Sequence, residues 1–454
     1  MRRYEKKRVL VVGMARSGIA AAKLLLHNGA IPVLSDTKKL ESFGDALNDL
    51  KGTACEFRLG ENQVALLSEV DAAVISPAVP IDSPLPVAAR ERGIPLIGEL
   101  ELAYSLCMGE VLAISGTNGK TTTTTLVGKM FENAGYITHV SGNIGFPFSA
   151  AAMESKREDI NVVEVSSFQL ESIKTFRPHV AALLNITEDH LNRHGTMEKY
   201  IRLKQRIFEN QLESDIAVLN MDDAVLLKMA GKLKSRIAFF SRTQPVENGA
   251  CVENGKIVWR WDGVSKPVCD ADQILIPGPH NLENALAATA MAASMGVPAA
   301  VIRHTLQSFT GVEHRIEKVR VLQGVTYIND SKGTNVDSTI KAVQSMKSPT
   351  VLLLGGYDKH TDFLPLCREI AASGMIDHIV VMGQTARQIS GTLEDVGYAN
   401  VTKAYSMEDA VDKAREMAVS GGNVLLSPAC ASFDMFRDYE ERGRIFKEIV
   451  NRLS

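Results

Sequence analysis

The sequence predicts an α/β protein of about three domains, each built from βαβ units. At roughly 150 residues per domain, the 454 residues correspond to about three domains. Three continuous apolar runs, at residues 8–13, 110–116 and 350–356, each lead into a glycine-containing loop and then a helical pattern. Continuous runs of Val, Leu and Ile are typical of strands buried on both faces of a parallel sheet. Their alternation with helices predicts βαβ units.

Two points along the chain are predicted domain boundaries. The first follows the segment Gly-Ile-Pro-Leu-Ile-Gly near residue 98, and the second lies in Phe-Thr-Gly-Val-Glu-His near residue 311. These boundaries predict domains over 1–98, 99–311 and 312–454. Residues 241–273 are predicted to form hairpins, because Asn-Gly and Asp-Gly turn pairs flank Val-Trp-Arg-Trp.

Composition indicates an ordinary globular protein. Apolar residues make up 45% and charged residues 23%, so the chain is not globally disordered. A net charge of −3 excludes a general nucleic-acid binder, which carries a basic excess. The six cysteines are scattered and form no C-x-x-C pair, which predicts free thiols in a reducing cytoplasm. No apolar run approaches the roughly 18 residues of a membrane helix, and the basic start is read as leading into a strand. We therefore expect a cytoplasmic monomer without nucleic-acid partner or membrane insertion.

The first glycine loop has two possible interpretations. Residues 13–18, Gly-Met-Ala-Arg-Ser-Gly, join the first strand to a helix predicted near 19–28, and the next predicted strand ends at Asp36. Amides at a helix N-terminus attract phosphate, and an acid after the second strand accepts a hydrogen bond from a ribose hydroxyl. Ala15 replaces the second glycine of G-x-G-x-x-G. The loop is therefore either a nucleotide-binding turn or a tight βα turn that binds nothing.

The second glycine loop predicts a phosphate site. Residues 116–122, Gly-Thr-Asn-Gly-Lys-Thr-Thr, follow a predicted strand and precede a helix. Glycines let backbone amides turn toward phosphate oxygens, Lys120 can neutralise the β/γ charge, and Thr121 can place its hydroxyl on Mg²⁺. Ile114 stands where G-x-x-x-x-G-K-[ST] has its first glycine. We expect ATP as the ligand, since no base-reading motif of G proteins is evident.

Three further residues are candidates for the active site, and each also has a purely structural interpretation. Glu164 lies in an apolar strand, where a carboxylate is costly without a cation such as Mg²⁺; a salt-bridged strand Glu is the alternative. His190 follows a predicted strand at 181–186, where ligands bind in open α/β sheets, although a lone His is usually a surface or core residue. Lys204 shares a helix face with Tyr200 and Phe208. Composition alone does not separate it from a surface lysine lying along apolar neighbours.

With these segments in order, the chain resembles the Mur ligase family. The resemblance continues through residues 278–284, 314–317, 329–335, 355–359 and 426–434, so that the motifs span about 13 to 443. It implies a Rossmann-like N-terminal domain that binds a UDP-substrate, a central P-loop ATPase-like domain with a parallel sheet, and a Rossmann-like C-terminal domain that binds an amino acid. The implied reaction is ATP-dependent amide formation through an acyl phosphate, with Mg²⁺. The implied substrates are UDP-N-acetylmuramoyl-L-alanine and D-glutamate, in peptidoglycan precursor synthesis.

The resemblance also assigns roles to residues, by position in each motif. The implied ATP-binding residues are Gly116, Thr117, Asn118, Gly119, Lys120, Thr121, Thr122, Asn281, Asn284, Arg315 and Asp330. The implied metal-site residues are Thr121, Glu164, His190 and Lys204, the last as a carbamylated lysine. The implied UDP-substrate residues are Arg16, Asp36, Thr37, Ser76 and Asn143. The implied D-glutamate residues are Lys332, Thr334, Lys359, Ser432, Phe433 and Tyr439. The implied catalytic residues are Lys120, His190, Lys204, Lys332 and Lys359.

Glutamate is preferred over other amino acids because of one motif. Relatives that add diaminopimelate or lysine carry Asp-Asn-Pro-Arg, whereas this chain has Ser-Pro-Ala-Cys-Ala-Ser-Phe-Asp at 427–434. Three alternatives remain open at this point. They are a sister Mur or folylpolyglutamate-type ligase adding another amino acid, a nucleotide-binding scaffold with a vestigial site, and a dinucleotide-dependent oxidoreductase resting on loop 13–18. We also expect domain closure to bring Lys332 and Lys359 to the central site.

Overall fold

The computed structural model describes residues 3–38, 43, 47–60, 63–358 and 361–454. The predicted D-glutamate residue Lys359 lies outside the described residues. The described part of the chain forms two compact units, 1–274 with 281–309, and 275–280 with 310–454. It contains three sheets, which follow one another along the sequence. No helix in these ranges combines the length and apolar character needed to cross a bilayer.

The first sheet is parallel throughout. Its strands are β1 (Arg8–Val12), β2 (Ile31–Ser35), β3 (Glu56–Phe57), β4 (Ala72–Ile75) and β5 (Leu96–Gly98). The associated helices are α1 (Arg16–His27), α2 (Gln63–Leu66), α3 (Pro84–Glu91) and α4 (Glu99–Leu106). The spatial order is β3-β2-β1-β4-β5, so the strand order reverses between β1 and β4. A crevice for a ligand forms at such a reversal in open α/β sheets.

The second sheet combines a parallel part with an antiparallel extension. Its strands are β6 (Glu110–Ser115), β7 (Thr138–Gly142), β8 (Ile160–Glu164), β9 (Val180–Leu183), β10 (Ile216–Asn220), β11 (Arg236–Ser241), β12 (Gly249–Glu253), β13 (Lys256–Trp261) and β14 (Val264–Asp270). Its helices are α5 (Lys120–Asn133), α6 (Phe148–Glu154), α7 (Ser167–Leu170), α8 (Leu191–His194), α9 (Met197–Gln205), α10 (Ala224–Ala230), α11 (Pro279–Ser294) and α12 (Ala299–Ser308). The order β14-β13-β12-β11-β10-β9-β6-β8-β7 puts β6 between β9 and β8.

The hairpins predicted for 241–273 are present. Strands β12, β13 and β14 pair antiparallel. The first turn has φ of 47° at Asn254 and 76° at Gly255, and the second has 48° at Asp262 and 79° at Gly263. Two successive residues with positive φ are the signature of the tight hairpin turn that Asn-Gly and Asp-Gly favour.

The first and second sheets share one hydrophobic core. Val9 of β1 and Leu24 of α1 belong to the same buried cluster as Leu100 of α4, Phe148 of α6 and Phe176. Helix α1 begins at Arg16 rather than near residue 19, and its small residues allow close packing against α4 and α6. The loops at the strand ends of the first and second sheets therefore belong to one compact unit.

The third sheet is parallel except for its first strand. Its strands are β15 (Glu317–Leu322), β16 (Val325–Asn329), β17 (Thr350–Leu354), β18 (Ile376–Val381), β19 (Val401–Lys403) and β20 (Asn423–Leu426), in the order β15-β16-β20-β17-β18-β19. Its helices are α13 (Val336–Gln344), α14 (Leu364–Ser373), α15 (Ala386–Asp395), α16 (Met407–Met417) and α17 (Tyr439–Arg452). Helices cover both faces, with a buried cluster on each side. The predicted α/β class is confirmed, while the boundaries 1–98, 99–311 and 312–454 stay a prediction.

Candidate active site

Polar groups meet where three neighbouring strands of the second sheet end. Loop 116–119 follows β6, Glu164 ends β8, and Asn185 follows β9. The strands are in register, since Ile114 pairs with Glu164 and Ser115 pairs with Leu183. Ligands of open α/β sheets bind at the carboxyl ends of the strands. The predicted phosphate loop and the predicted metal-site carboxylate are therefore neighbours.

The phosphate loop is held in shape by the segment after β9. The Asn185 side chain accepts a hydrogen bond from the Asn118 amide at 2.9 Å and donates one to the Asn118 carbonyl at 3.1 Å. The Thr117 hydroxyl donates to the Thr187 carbonyl at 3.0 Å and lies 3.2 Å from the Tyr200 hydroxyl. Sequence reasoning assigned no role to Asn185 or Tyr200. The sequence signal for Asn185 was a polar side chain near the end of the predicted strand 181–186, and the signal for Tyr200 was its spacing of four residues from Lys204.

Helix α11 lies against the same loop. Gly119 has φ of +83°, and a Cβ there would lie 2.2 Å from the side-chain oxygen of Asn284. Asn284 in turn donates to the side-chain oxygen of Asn281 at 3.1 Å, and both residues are buried. Only glycine fits at position 119 without displacing Asn284. The two asparagines predicted to bind ATP thus border the phosphate loop.

Lys120 and Lys204 donate to the same backbone carbonyl. The Lys120 ammonium lies 3.0 Å from the Gly116 oxygen and 2.8 Å from the Thr117 oxygen. The Lys204 amine lies 2.7 Å from the Gly116 oxygen, and only 2% of the residue is exposed. The interpretation of Lys204 as a surface lysine is therefore wrong. Burial lowers the pKa of Lys204 well below its ordinary value, and the charge of Lys120 lowers it further against the carboxylates of Asp189 and Glu164.

Glu164 and Thr121 carry oxygen groups of the kind that Mg²⁺ binds. Glu164 is 1% exposed and accepts a hydrogen bond from the Asn143 side chain at 2.9 Å, and Thr121 is 3% exposed at the start of α5. Carboxylate and hydroxyl oxygens are hard ligands, which Mg²⁺ prefers. In the described ranges no three or more His, Cys, Asp or Glu side chains are grouped to hold a metal. Mg²⁺ commonly takes one or two protein oxygen ligands and fills its other positions with substrate phosphates and water, so the types of group at Glu164 and Thr121 fit this ion.

The segment with His190 is supported by a buried histidine that sequence reasoning missed. His190 precedes α8 with φ of 55°, and its ring centroid lies 4.8 Å from that of Phe168. The His194 ring lies 3.0 Å from the Ser167 hydroxyl and stacks on Tyr200 at 5.3 Å. Burial lowers the pKa of His194 to about 4, so its ring is neutral at neutral pH. His194 therefore acts as an uncharged support between α7 and α9.

The crevice of the first sheet brings together two of the predicted UDP-substrate residues. The Met14 amide donates to the Asp36 carboxylate at 2.8 Å. A Cβ on Gly13 would lie 2.8 Å from the Cβ of Ser76, so Ser76 closes on the loop from β4. Thr37 directly follows Asp36, and Arg16 begins α1 with its side chain exposed. Asn143, the fifth predicted residue, lies instead beside Glu164 on the second sheet.

In the second compact unit, Asp330 is a buried acid at the end of β16. Its carboxylate accepts hydrogen bonds from the Ser427 hydroxyl at 2.7 Å and the Ile316 amide at 3.2 Å. Burial raises the pKa of Asp330 to about 6, against the opposing charge of Arg315. The Nε atom of Arg315 is buried with no hydrogen-bond partner among the described residues. The two predicted nucleotide contacts of this unit are therefore close enough to interact electrostatically.

Four of the predicted D-glutamate residues lie on two loops joined by Arg442, and a fifth, Tyr439, begins α17. This arginine is 1% exposed and donates to the Ser331 carbonyl at 2.8 Å and the Cys430 carbonyl at 3.1 Å. It thereby ties loop 330–334, with Lys332 and Thr334, to loop 427–434. On the second loop Ser432 is buried and Phe433 is exposed. The Lys332 ammonium lies 5.2 Å from the ring centroid of Tyr439. Arg442 had no signal in the sequence.

We expect Asp330→Asn to make the second unit more stable at neutral pH. The pKa of Asp330 is about 6 in the folded chain against an ordinary 3.8, so the folded state holds this proton more tightly. The protonated Asp330 carboxyl group therefore imposes no cost on the folded state below about pH 4. As the pH rises through about 6 the buried group becomes charged, and the free energy of unfolding falls. Asn carries no charge and retains the acceptor for Ile316. Urea unfolding should show a gain of about 2 to 3 kcal/mol near pH 7.5 and little gain near pH 4.

The control for this prediction is Asp337→Asn on α13, whose partner Lys341 lies on the surface at 3.1 Å. It should not reproduce the pH-dependent gain. An equal gain for Asp330→Asn at both pH values would show that its carboxyl group does not bear the desolvation cost.

Three family descriptions match successive parts of the chain. They are "Mur ligase MurD-like, N-terminal domain" over residues 7–98, "Mur ligase middle domain" over 114–292 and "Mur ligase, glutamate ligase domain" over 314–430. A UDP-N-acetylmuramoylalanine–D-glutamate ligase from Alkaliphilus oremlandii is 48% identical over 451 residues, covering 99% of both chains. The chain belongs to the Mur ligase family. A ligase of the same name from a Thermoanaerobacter species is 47% identical, covering 98% of both chains.

Solved structures of Mur ligases share this fold at low sequence identity. The UDP-N-acetylmuramate–alanine ligase of Thermotoga maritima superposes with a TM-score of 0.62 at 20% identity, covering 98% of this chain and 99% of that one. A pseudomurein peptide ligase from Methanothermus fervidus gives a TM-score of 0.61 at 20% identity, covering 99% and 100%. The resemblance to Mur ligases stated from the motifs is thus confirmed. The alternative of a dinucleotide-dependent oxidoreductase, which rested on loop 13–18, is therefore wrong, because the chain belongs to the Mur ligase family.

Proposed function

We propose that this protein is an ATP-dependent ligase that adds D-glutamate to UDP-N-acetylmuramoyl-L-alanine, in peptidoglycan precursor synthesis. The observation that carries the proposal is the cluster of Lys120, Lys204 and Glu164 around loop 116–119. Relatives at 44 to 48% identity over nearly the whole chain bear the name of this activity, which supports D-glutamate as the added amino acid.

The proposed reaction joins a carboxylate to an amine at the expense of ATP. A carboxylate oxygen of the UDP-substrate attacks the γ-phosphorus, and the bond to ADP breaks to leave an acyl phosphate. The uncharged amine of D-glutamate then attacks the acyl carbon and loses a proton as the C–N bond forms. The bond between that carbon and the phosphate oxygen breaks, and inorganic phosphate leaves. Lys120 begins α5 with its ammonium against the carbonyls of loop 116–119, where its charge would offset the repulsion between the anionic reactants.

The metal sites of the proposed reaction draw on four residues of the first compact unit. We propose that Thr121, Glu164, His190 and a carbamylated Lys204 form the metal sites. Bound there, Mg²⁺ would neutralise phosphate charge during phosphoryl transfer. Carbamylation would replace a basic amine beside Lys120 with an anion, and an anionic oxygen is a suitable ligand for Mg²⁺.

D-glutamate presents two carboxylates, which require cationic and hydrogen-bonding receptors. We propose that Lys332, Thr334, Ser432, Phe433 and Tyr439 supply them, together with Lys359. A lysine forms a charge-assisted hydrogen bond with a carboxylate, and hydroxyls and amides complete its shell. Arg442 hydrogen-bonds to both loops, which supports a fixed arrangement of the groups that loops 330–334 and 427–434 carry.

We infer in addition that the protein acts in the cytoplasm, while the expectation of a monomer stays a prediction. All six cysteines are free thiols in the structure. Disulfides are rare in reducing compartments, so this state fits a cytoplasmic enzyme.

The test is release of phosphate from ATP with each reactant omitted in turn. We expect release only when UDP-N-acetylmuramoyl-L-alanine and D-glutamate are both present with Mg²⁺. L-alanine, L-lysine, meso-diaminopimelate and L-glutamate serve as competing amino acids. Preference for one of these would favour a sister ligase, and the absence of turnover with all of them would favour a vestigial site.

A further inference from the structure

One arginine connects the two sites of the first compact unit. Arg193 lies on α8, three residues after His190. Its guanidinium donates to the carbonyls of Pro77 at 3.2 Å, Ala78 at 3.1 Å and Val79 at 3.4 Å. These carbonyls belong to the turn that follows β4 of the first sheet. Arg193 therefore joins the second sheet to the loop that begins at Ser76.

Arg193 is largely buried and makes several contacts, unlike an arginine in a surface ion pair. Its side chain is 17% exposed and pairs at 2.7 Å with Glu171, whose side chain is 9% exposed. Its guanidinium lies over the Phe168 ring, 4.6 Å from the centroid. The same ring contacts His190 at 4.8 Å. A planar guanidinium makes several directed hydrogen bonds at once, which lysine does not.

The two ends of this connection are the two ends of the proposed substrate's site. Ser76 closes on Gly13 at the crevice of the first sheet, and the Val79 amide donates to the Ser76 carbonyl at 2.9 Å. At the other end, His190 lies at the predicted phosphoryl-transfer site. A UDP-linked substrate bound through its UDP group must place a distant carboxylate at the γ-phosphate. Its reactivity therefore depends on the separation between the crevice and the phosphate loop.

We propose that Arg193 is a positioning residue that sets this separation. The inference rests on the proposed function, since it requires a substrate that occupies both ends. Among the described residues, the hydrogen bonds of Arg193 go to the turn after β4 and to Glu171, and none goes to the phosphate loop or to Gly13. It acts through the Ser76–Val79 turn and through Phe168 and His190. Misplacement of a reacting group by about 1 Å lowers rates by about 100-fold, so a loosened connection reduces turnover while each end still binds.

Arg206 offers a closely matched control. It donates to the carbonyls of Leu170 at 2.7 Å, Glu171 at 2.9 Å and Ile173 at 2.9 Å, and it pairs with Glu209 at 2.7 Å. Like Arg193, it therefore meets three backbone carbonyls and one carboxylate. All these partners lie between β8 and β10, in the part of the chain that forms the second sheet. The loss of Arg206 therefore removes similar contacts without disconnecting the first sheet.

The experiment compares Arg193→Gln, Arg193→Lys and Arg206→Gln in the full chain. We expect Arg193→Gln to lower kcat/KM for UDP-N-acetylmuramoyl-L-alanine by about 10- to 100-fold. The Kd values of UDP and of ATP, measured separately by calorimetry, should each change by less than about threefold. Arg206→Gln should keep kcat/KM within about threefold of wild type, even if its melting temperature falls by as much as that of Arg193→Gln. Arg193→Lys keeps the positive charge but loses the planar guanidinium, so its kcat/KM should lie between those of wild type and Arg193→Gln. This variant keeps the test decisive if Arg193→Gln fails to fold.

Equal losses of kcat/KM in Arg193→Gln and Arg206→Gln would overturn the inference, as would a fall in UDP affinity as large as the fall in kcat/KM. Wild-type kcat/KM in Arg193→Gln would overturn it while leaving the proposed function intact. Absence of turnover by the wild-type protein would overturn the proposed function and the inference together.

Discussion

Replacement of Lys120 with Met should lower ADP formation by about 1,000-fold or more. The Lys120 ammonium lies over the phosphate loop, 3.0 Å from the Gly116 oxygen and 2.8 Å from the Thr117 oxygen. Met keeps a flexible stem of similar length but removes the positive charge. The negative charge of the transferring phosphoryl group is then no longer offset by the Lys120 ammonium. Single-turnover assays with the UDP-substrate and no D-glutamate measure this step directly.

Lys129→Met is the control for this prediction. Lys129 lies on the same helix, α5, but is exposed and pairs with Glu132 on the surface. It should form ADP at the wild-type rate. Formation of ADP by Lys120→Met within about tenfold of wild type would rule out the assigned role of Lys120.

Replacement of Lys204 with Met should abolish turnover to a similar extent without loss of thermal stability. Burial disfavours the charged form of this amine, and an apolar side chain of similar volume is often neutral or stabilising at such a position. The uncharged amine is the form that adds carbon dioxide. In wild-type protein exposed to ¹³C-labelled carbon dioxide, NMR should therefore detect one carbamate carbon, and this signal should be absent from Lys204→Met.

Lys199→Met on the exposed side of α9 provides the comparison. It should retain both the carbamate signal and full activity. If Lys204→Met retained more than about a tenth of wild-type turnover, the carboxylate-like role of Lys204 would be incorrect. If both variants lost activity with a large fall in melting temperature, the effect would be structural.

Local patterns predicted much of the fold and part of the site. The apolar runs at 8–13, 110–116 and 350–356 correspond to β1, β6 and β17. The Asn-Gly and Asp-Gly pairs form the two hairpin turns. In each case the signal is contained within a few neighbouring residues, since side-chain spacing and glycine's access to positive φ are properties of the local chain. The sharing of one core by the first two sheets left no such signal, because it depends on which helix faces meet.

The sequence by itself determined the strand–loop–helix order, the phosphate loop and the motifs of the Mur ligase family. Only the tertiary structure decided that Lys204 is buried, that Arg193 reaches the turn after β4, and that Arg442 ties two loops together. A lysine on an apolar helix face has the same spacing whether that face meets solvent or a protein core. Backbone carbonyls are chemically alike in every residue, so no sequence pattern marks which of them an arginine will contact.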